Sequence, residues 1–302
     1  MKSKIRIVLE FLVAFAIILF LLSKINVEDV AALLKVIDYR WIMLGIVVYI
    51  VSLLLTAYSL KALFNSVRII SFKEWLRYYL IGLSTGLVLP GRAGDLSVIY
   101  FLKDKGFDIG ESTALTLVDK AITLAIFSMI AFLGLFTILS SKELIYGIIA
   151  AFVLLIGCLF LFTERGKNIV KKIIGRYAEN FKGFSRTLKN LLKNHKEKIA
   201  INIIVTILRP IGNGLLIVFI LKAMHYDVSL LYASLISSIT LIASLTPLTP
   251  NGLGIREGVG TFLFSKLSIP LEASVSMYLI ILLLNYTTGI IGLAYYLCKR
   301  KR

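Results

Sequence analysis

The chain has 302 residues, 58% of them hydrophobic and 17% charged, with a net charge of +17. Soluble domains average about 45–50% apolar and about 25% charged residues, so a disordered chain and a disulfide-stapled secreted domain are both excluded. Lys and Arg stand in loops and tails between apolar runs that approach the about 20 residues needed to cross a bilayer. The charge therefore indicates cytoplasmic loops and anionic lipid rather than nucleic acid, in an all-α polytopic membrane protein.

The first half, residues 1–162, opens with an apolar run after three basic residues, which predicts a retained first span rather than a cleaved signal peptide. Trp41–Leu60 predicts a return to the cytoplasm, because basic residues follow it. Two short apolar stretches near 79–102, Tyr79–Leu89 and Leu96–Leu102, flank a Pro/Gly break and predict a re-entrant hairpin. Two more crossings are predicted at Thr113–Leu139 and Leu144–Phe162.

A basic segment separates the two halves. Residues Thr163–Lys198 contain eleven Lys and Arg against three Glu, and their apolar residues recur at helical spacing. This pattern predicts a cytoplasmic amphipathic helix. It either lies on the anionic leaflet or packs on the protein, and it is also a candidate site for recruiting a soluble partner.

The second half, residues 199–302, has the same organisation. Ile199–Leu221 and Pro270–Leu297 predict spans, and a second hairpin near 230–267 lies between them, with limbs at Leu230–Leu248 and Gly258–Leu267. If that hairpin is entered from outside, the terminal basic cluster stays in the cytoplasm. The sequence therefore predicts about six transmembrane helices plus two re-entrant hairpins arranged as an inverted repeat. The composition suits a prokaryotic cell membrane, and both termini are predicted to be cytoplasmic.

The two breaks share a Pro, glycines, an Arg and a following carboxylate. The first reads Leu89-Pro90-Gly91-Arg92-Ala93-Gly94-Asp95, and the second reads Pro250-Asn251-Gly252-Leu253-Gly254-Ile255-Arg256-Glu257. Interrupted helices at corresponding positions of two halves indicate a transporter-like site near the middle of the membrane. The free N–H groups of a half-helix and an adjacent Arg suit a phosphate. The predicted substrate-binding residues are Gly91, Arg92, Gly94, Asp95, Gly252, Gly254, Arg256 and Glu257; alternatively, each Arg–acid pair only fixes its hairpin.

Three spans carry polar stripes, each set on one side of its helix and predicted to face away from lipid. The stripes are Ser112, Thr116, Asp119 and Thr123, with Lys120 adjacent; Asn202, Thr206, Arg209 and Asn213; and Tyr278, Asn285 and Thr288. For Asp119, Lys120 and Arg209 we favour a hydrated substrate path. For the Asn and Thr residues we favour hydrogen bonding between helices, with Asn213 and Asn285 kept as candidate binding residues.

The first Pro/Gly motif, the Asp119-Lys120 pair and the second motif together resemble the lysylphosphatidylglycerol synthase transmembrane-region family, also called flippase-like or UPF0104 membrane proteins. The resemblance covers nearly the whole chain. In the family, Glu is commoner at Asp95, and an acid–Arg pair is commoner at Asp119-Lys120. The resemblance implies movement of an aminoacylated or glycosylated lipid between leaflets, with a phospholipid or a polyprenyl-phosphate-linked sugar as the cargo.

Three functions are therefore considered. The first is a lipid flippase, the second a scaffold that recruits a soluble partner, and the third a membrane-embedded transferase with Asp95, Asp119 or Glu257 as base. The chain is expected to be transporter-like rather than an enzyme, because only four residues follow Cys298 and no room remains for an aminoacyl-transfer domain. No cofactor or metal is expected, since the sequence has no nucleotide-binding motif and few ligand residues.

Overall fold

The computed structural model describes residues 35–86, 98–99, 101–139, 183–245 and 249–300. Within these ranges, every element with defined bounds is helical, as the apolar runs predicted. A short 3-10 helix spans Leu102–Lys105. The α-helices are α1 (Tyr39–Phe64), α2 (Phe72–Gly86), α3 (Ile109–Ile138), α4 (Phe184–Asn194), α5 (Lys196–Ala223), α6 (Leu230–Ala243), α7 (Ile255–Ser265) and α8 (Leu271–Arg300).

Four of these helices, α1, α3, α5 and α8, are long and apolar enough to cross a membrane. They coincide, within a few residues, with the four predicted spans that fall in the described ranges. Exposed apolar side chains cover much of their surface, including Met43 and Phe132, which suits contact with lipid. The predicted first span and Leu144–Phe162 lie outside the described residues, so the count of six spans stays a prediction.

Helices α1 and α5 form a long antiparallel pair. The Asp38 N–H, just before α1, donates to the Ala223 carbonyl at the end of α5, at 3.0 Å. Near the middle of both helices, Ser52 packs directly on Gly212, where any Cβ would collide with the serine hydroxyl. A small residue on each helix thus allows the close approach that is typical of membrane helix pairs.

Helix α2 is the first limb of the first predicted hairpin, and it begins seven residues earlier than the predicted apolar stretch at Tyr79–Leu89. The added turns are polar outside and apolar inside, so hydropathy alone missed them. Small residues bring α2 against α8: the Ser84 hydroxyl donates to the Gly289 carbonyl at 2.7 Å. The predicted tip of the hairpin, with Gly91, Arg92, Gly94 and Asp95, lies outside the described residues.

Helices α6 and α7 flank the second break and pack against each other. They have 14 and 11 residues, both short of the about 20 needed for a crossing. The turn between them uses left-handed backbone at Asn251, Gly252 and Gly254, with φ of 51°, 71° and 83°. A side chain at Gly252 would also collide with Ser244 at the end of α6. The glycines are therefore explained by the shape of the turn.

The start of α7 differs from the sequence prediction. The second limb was predicted to begin at Gly258, but the helix begins at Ile255. Arg256 and Glu257 therefore lie in its first turn rather than in the break. The Glu257 carboxylate accepts a hydrogen bond from the Gly254 N–H at 2.7 Å, which caps the helix and explains the earlier start.

The described end of the basic segment packs on the protein. In α4, Leu191 is fully buried and belongs to an apolar cluster with Phe64, Leu102 and Phe107. Helix α4 contacts α3 and α5. For residues 184–194, this contact supports packing on the protein rather than on lipid. Residues 163–182 lie outside the described ranges.

Candidate functional site

A cavity of about 220 Å³ lies among α1, α2, α5, α6, α7 and α8. One water needs about 10–15 Å³ on the same scale, so the cavity has room for a headgroup and several waters. It borders two apolar clusters, with Tyr79 from one and Ile281 from the other. Its polar lining comes from all six helices: Tyr49, Ser52, Thr56, Tyr79, Arg209, Asn213, Ser237, Thr240, Arg256, Tyr278 and Asn285.

Arg256 enters the cavity from the first turn of α7. Its guanidinium lies over the Tyr278 ring, 5.8 Å from the ring centroid, and its Nε is 3.6 Å from a Glu257 carboxylate oxygen. Its Nε and Nη2 are buried and meet no hydrogen-bond acceptor in the described part of the chain. Arginine carries five N–H donors, so Arg256 keeps donors available for a bound anion.

Arg209 enters from the middle of α5 and is held by α3. Its Nη1 donates to the Thr123 hydroxyl at 3.1 Å, and its guanidinium lies 5.4 Å from the centroid of the Phe127 ring. Pro210 follows directly inside the helix and has no N–H for the Thr206 carbonyl. The Thr206 carbonyl, one turn before Pro210, therefore lacks its usual helical donor.

The cavity is cationic. Two arginines and no carboxylate occur among the described residues that line it. Positive charge buried among apolar helices is costly unless it is paired or solvated. The Glu257 carboxylate lies beside Arg256 but also accepts the Gly254 N–H that caps α7, so it offsets the charge of Arg256 only in part. The charge of the described lining therefore suits an anion.

Asn285 has a structural contact as well as a place in the lining. The Tyr49 hydroxyl, from α1, lies 2.9 Å from the Thr288 hydroxyl and donates to the Asn285 Oδ1 at 3.2 Å. These contacts join α1 to α8, which is the interhelical role that the sequence favoured for Asn and Thr. Asn213 lines the same cavity from α5.

Asp119 and Lys120 lie apart from the cavity lining. The Asn202 amide donates to Asp119 Oδ1 at 2.9 Å and to the Ser59 hydroxyl at 2.8 Å. The Lys120 ammonium lies 3.0 Å from Asp119 Oδ2. Ser59, Asp119 and Asn202 are buried, and their contacts tie α1, α3 and α5 together one turn before Thr123 on α3. The charges of Asp119 and the partly exposed Lys120 compensate each other locally.

The structure thus brings together four of the predicted residues, Arg209, Asn213, Arg256 and Asn285. Gly252 and Gly254 shape the turn that delivers Arg256. Sequence reasoning missed the polar lining from α1, although Tyr49, Ser52 and Thr56 have the i, i+3, i+7 spacing of one helix face. It also missed Gly260, whose missing side chain makes room for the Tyr278 hydroxyl. The described residues contain no cluster of three His, Cys, Asp or Glu side chains for a metal.

Comparison with known proteins gives matches across the whole site. A family model described as the lysylphosphatidylglycerol synthase TM region matches residues 7–292. A UPF0104 membrane protein of Methanocaldococcus jannaschii is 23% identical, and the alignment covers 91% of this chain and 89% of the relative. The matched residues include every described residue that lines the cavity.

Proposed function

We propose, since the chain belongs to the lysylphosphatidylglycerol synthase TM-region family, that it moves an anionic lipid headgroup between membrane leaflets. The resemblance drawn from the sequence motifs is confirmed by that match. The observation that carries the proposal is the cavity itself, because its described lining includes two arginines and no carboxylate. A lipid phosphate would pair with both charges and accept the unused donors of Arg256.

The polar lining explains how a headgroup crosses. Moving a phosphate through hydrocarbon without partners is prohibitive, because every lost water contact must be replaced. Hydroxyls and amides from five helices, and the Arg256 guanidinium from α7, offer such replacements along the cavity wall. Tyr278 and Arg256 stack at one side, so the arginine is oriented before the lipid arrives.

In this proposal, α6 and α7 form a re-entrant hairpin, and α2 is one limb of another. All three helices are short and border the cavity. Val228 before α6 and Leu267 after α7 pack against one apolar cluster with Met224 at the end of α5, which supports a return to the same side. The protein then resides in a cell membrane with cytoplasmic termini, with its two halves related by inversion.

A reconstituted transbilayer assay tests this function. Purified protein enters liposomes that carry fluorescent phosphatidylglycerol in both leaflets, and dithionite destroys the label that is accessible from outside. With wild-type protein, the fraction of label destroyed should rise well above the half that lies in the outer leaflet. A fluorescent polyprenyl phosphate in a parallel arm identifies the preferred lipid.

The matched variants are Arg256→Gln and Lys266→Gln. Each removes one positive charge from α7 or its end, but Lys266 is exposed and does not line the cavity. Hydrogen bonds to charged groups contribute about 1.5–3 kcal/mol, so Arg256→Gln should slow translocation about tenfold or more. Lys266→Gln should leave the rate unchanged. Equal rates for wild type and Arg256→Gln would reject the role of this arginine.

A further inference from the structure

A second cavity, of about 200 Å³, lies between α1 and α5, and its lining is almost wholly apolar. We call it the α1–α5 groove; its exposed lining residues are Val47, Val51, Leu55 and Leu208. Each of these side chains is at least 40% exposed. Because α1 and α5 are both candidate membrane spans, the groove opens toward the lipid hydrocarbon.

The groove adjoins the polar cavity. Ser52 and Arg209 line both spaces. An arginine suits such a boundary, because its aliphatic stem packs on apolar surface while its charged head contacts polar groups. On one side of this boundary lies the cationic, hydroxyl-rich cavity, and on the other lies a space whose lining is almost wholly apolar.

The boundary lies at the middle of both helices. Ser52 is the fourteenth of the 26 residues of α1, and Arg209 is the fourteenth of the 28 residues of α5. If both helices cross the bilayer, the junction lies near the midplane, where a lipid passing between leaflets must turn. A lipid whose headgroup lies in the cavity at this depth needs an apolar space beside it for its acyl chains, and the groove is the adjacent apolar space.

We propose that the α1–α5 groove holds an acyl chain of the lipid whose phosphate occupies the polar cavity. The site then recognises a lipid as one unit, with phosphate at Arg209 and Arg256 and a chain along Val51 and Leu208. This inference rests on the proposed function for its ligand class. It goes further because it gives the acyl chain a defined place and because lipid would then reach the cavity from the hydrocarbon between α1 and α5.

Filling the groove tests the assignment. Val51→Trp places a large side chain in the groove, whereas Ile50→Trp adds the same side chain at the neighbouring position on α1, which is 46% exposed and lines neither cavity. Leu208→Trp repeats the test from α5. Val51→Trp and Leu208→Trp should slow translocation of fluorescent phosphatidylglycerol at least fivefold, and Ile50→Trp should match wild type. Equal translocation rates for all three variants would contradict the assignment of an acyl chain to the groove.

A binding measurement separates this claim from translocation itself. In detergent, fluorescent phosphatidylglycerol should bind the wild-type protein at least tenfold more tightly than fluorescent diacylglycerol, which lacks the phosphate. Val51→Trp should weaken the binding of phosphatidylglycerol at least fivefold, because the indole occupies the space of the acyl chain, and Ile50→Trp should bind it like wild type. Glycerol phosphate, a headgroup without chains, should compete at least tenfold more weakly than unlabelled phosphatidylglycerol.

The outcomes are distinct. Headgroup-dependent binding that Val51→Trp weakens, in a protein that does not translocate lipid, would support the groove and reject the proposed function. Binding that does not depend on the phosphate would show that the groove takes only bulk lipid, and equal competition by glycerol phosphate would show that the site binds free phosphate. Either result, or unchanged binding by Val51→Trp, overturns the inference.

Discussion

At the scale of single residues, Arg256 and Arg209 use their donors differently. Arg209 donates to Thr123 and stacks over Phe127, so α3 fixes its orientation. Arg256 stacks over Tyr278, yet its Nε and Nη2 meet no acceptor in the described ranges. A buried donor without a partner costs about 1–3 kcal/mol. Arg256 is therefore the residue whose burial depends most on an anion.

Asp119 gives a different case, because its charge is already compensated. It is 4% exposed, bonded to Asn202 and paired with Lys120. We expect Asp119→Asn to lower the free energy of unfolding by about 1–2 kcal/mol, since one charged hydrogen bond and the ion pair weaken. Translocation by the folded fraction should stay within threefold of wild type. Thermal unfolding in detergent and the liposome assay measure the two effects, and a tenfold slower variant with unchanged stability would instead place Asp119 on the path.

At the scale of helices, the contact between α7 and α8 depends on a missing side chain. A Cβ at Gly260 would collide with the Tyr278 ring and hydroxyl, whereas a Cβ at Gly258 would meet nothing within 4 Å. Gly260→Ala should therefore lower the free energy of unfolding by about 1–3 kcal/mol through overpacking. Gly258→Ala, on the same helix, should raise stability by about 0.5–1 kcal/mol.

The same pair of variants links packing to function. Displacing Tyr278 also displaces the ring on which Arg256 stacks, so Gly260→Ala should slow translocation severalfold in protein that remains folded. The melting temperature measures the loss of stability, and the liposome assay measures the translocation rate of the folded protein. A melting temperature for Gly260→Ala equal to or above that of Gly258→Ala would contradict the described contact.

Helix boundaries show which features of the fold could be predicted from the sequence and which could not. The long spans were predictable because run length and apolarity suffice to identify them. The start of α2 was missed because the helix is amphipathic there, and the charged residues Lys73, Glu74 and Arg77 on its polar face lower the hydropathy. Arg256 was assigned to the break, because the cap that Glu257 provides depends on a turn geometry that a Pro/Gly motif does not specify by itself.

At the scale of the whole molecule, the cavity arises from an arrangement that no single segment encodes. Arg209, Arg256 and Asn285 were found as polar residues in apolar surroundings. Their convergence depends on how α5, α7 and α8 pack, which local patterns do not determine. The lining from α1 was missed for a related reason: Tyr49 and Ser52 stand among strongly apolar neighbours, and only their helical spacing reveals a shared face.

The proposed topology gives a direct expectation for accessibility. In a background with both native cysteines replaced by Ser, single cysteines are introduced at His195, Ser229 and Ser268. A re-entrant α6–α7 hairpin places residues 229 and 268 on one side, and α5 places residue 195 on the other. In intact cells, an impermeant maleimide should label positions 229 and 268 but not 195. Labelling of only one of 229 and 268 would mean that α6–α7 crosses the membrane.

The most direct test of the central claim is a double-mutant cycle in the liposome assay with wild type, Arg209→Gln, Arg256→Gln and the double variant. If both arginines hold one phosphate, their effects are coupled, because removing either partner already weakens the shared contact. Each single variant should slow translocation of fluorescent phosphatidylglycerol at least tenfold, and the double variant should slow it by clearly less than the product of the two. Single variants with wild-type rates, or independent effects that multiply fully, would contradict a shared phosphate site in the cavity.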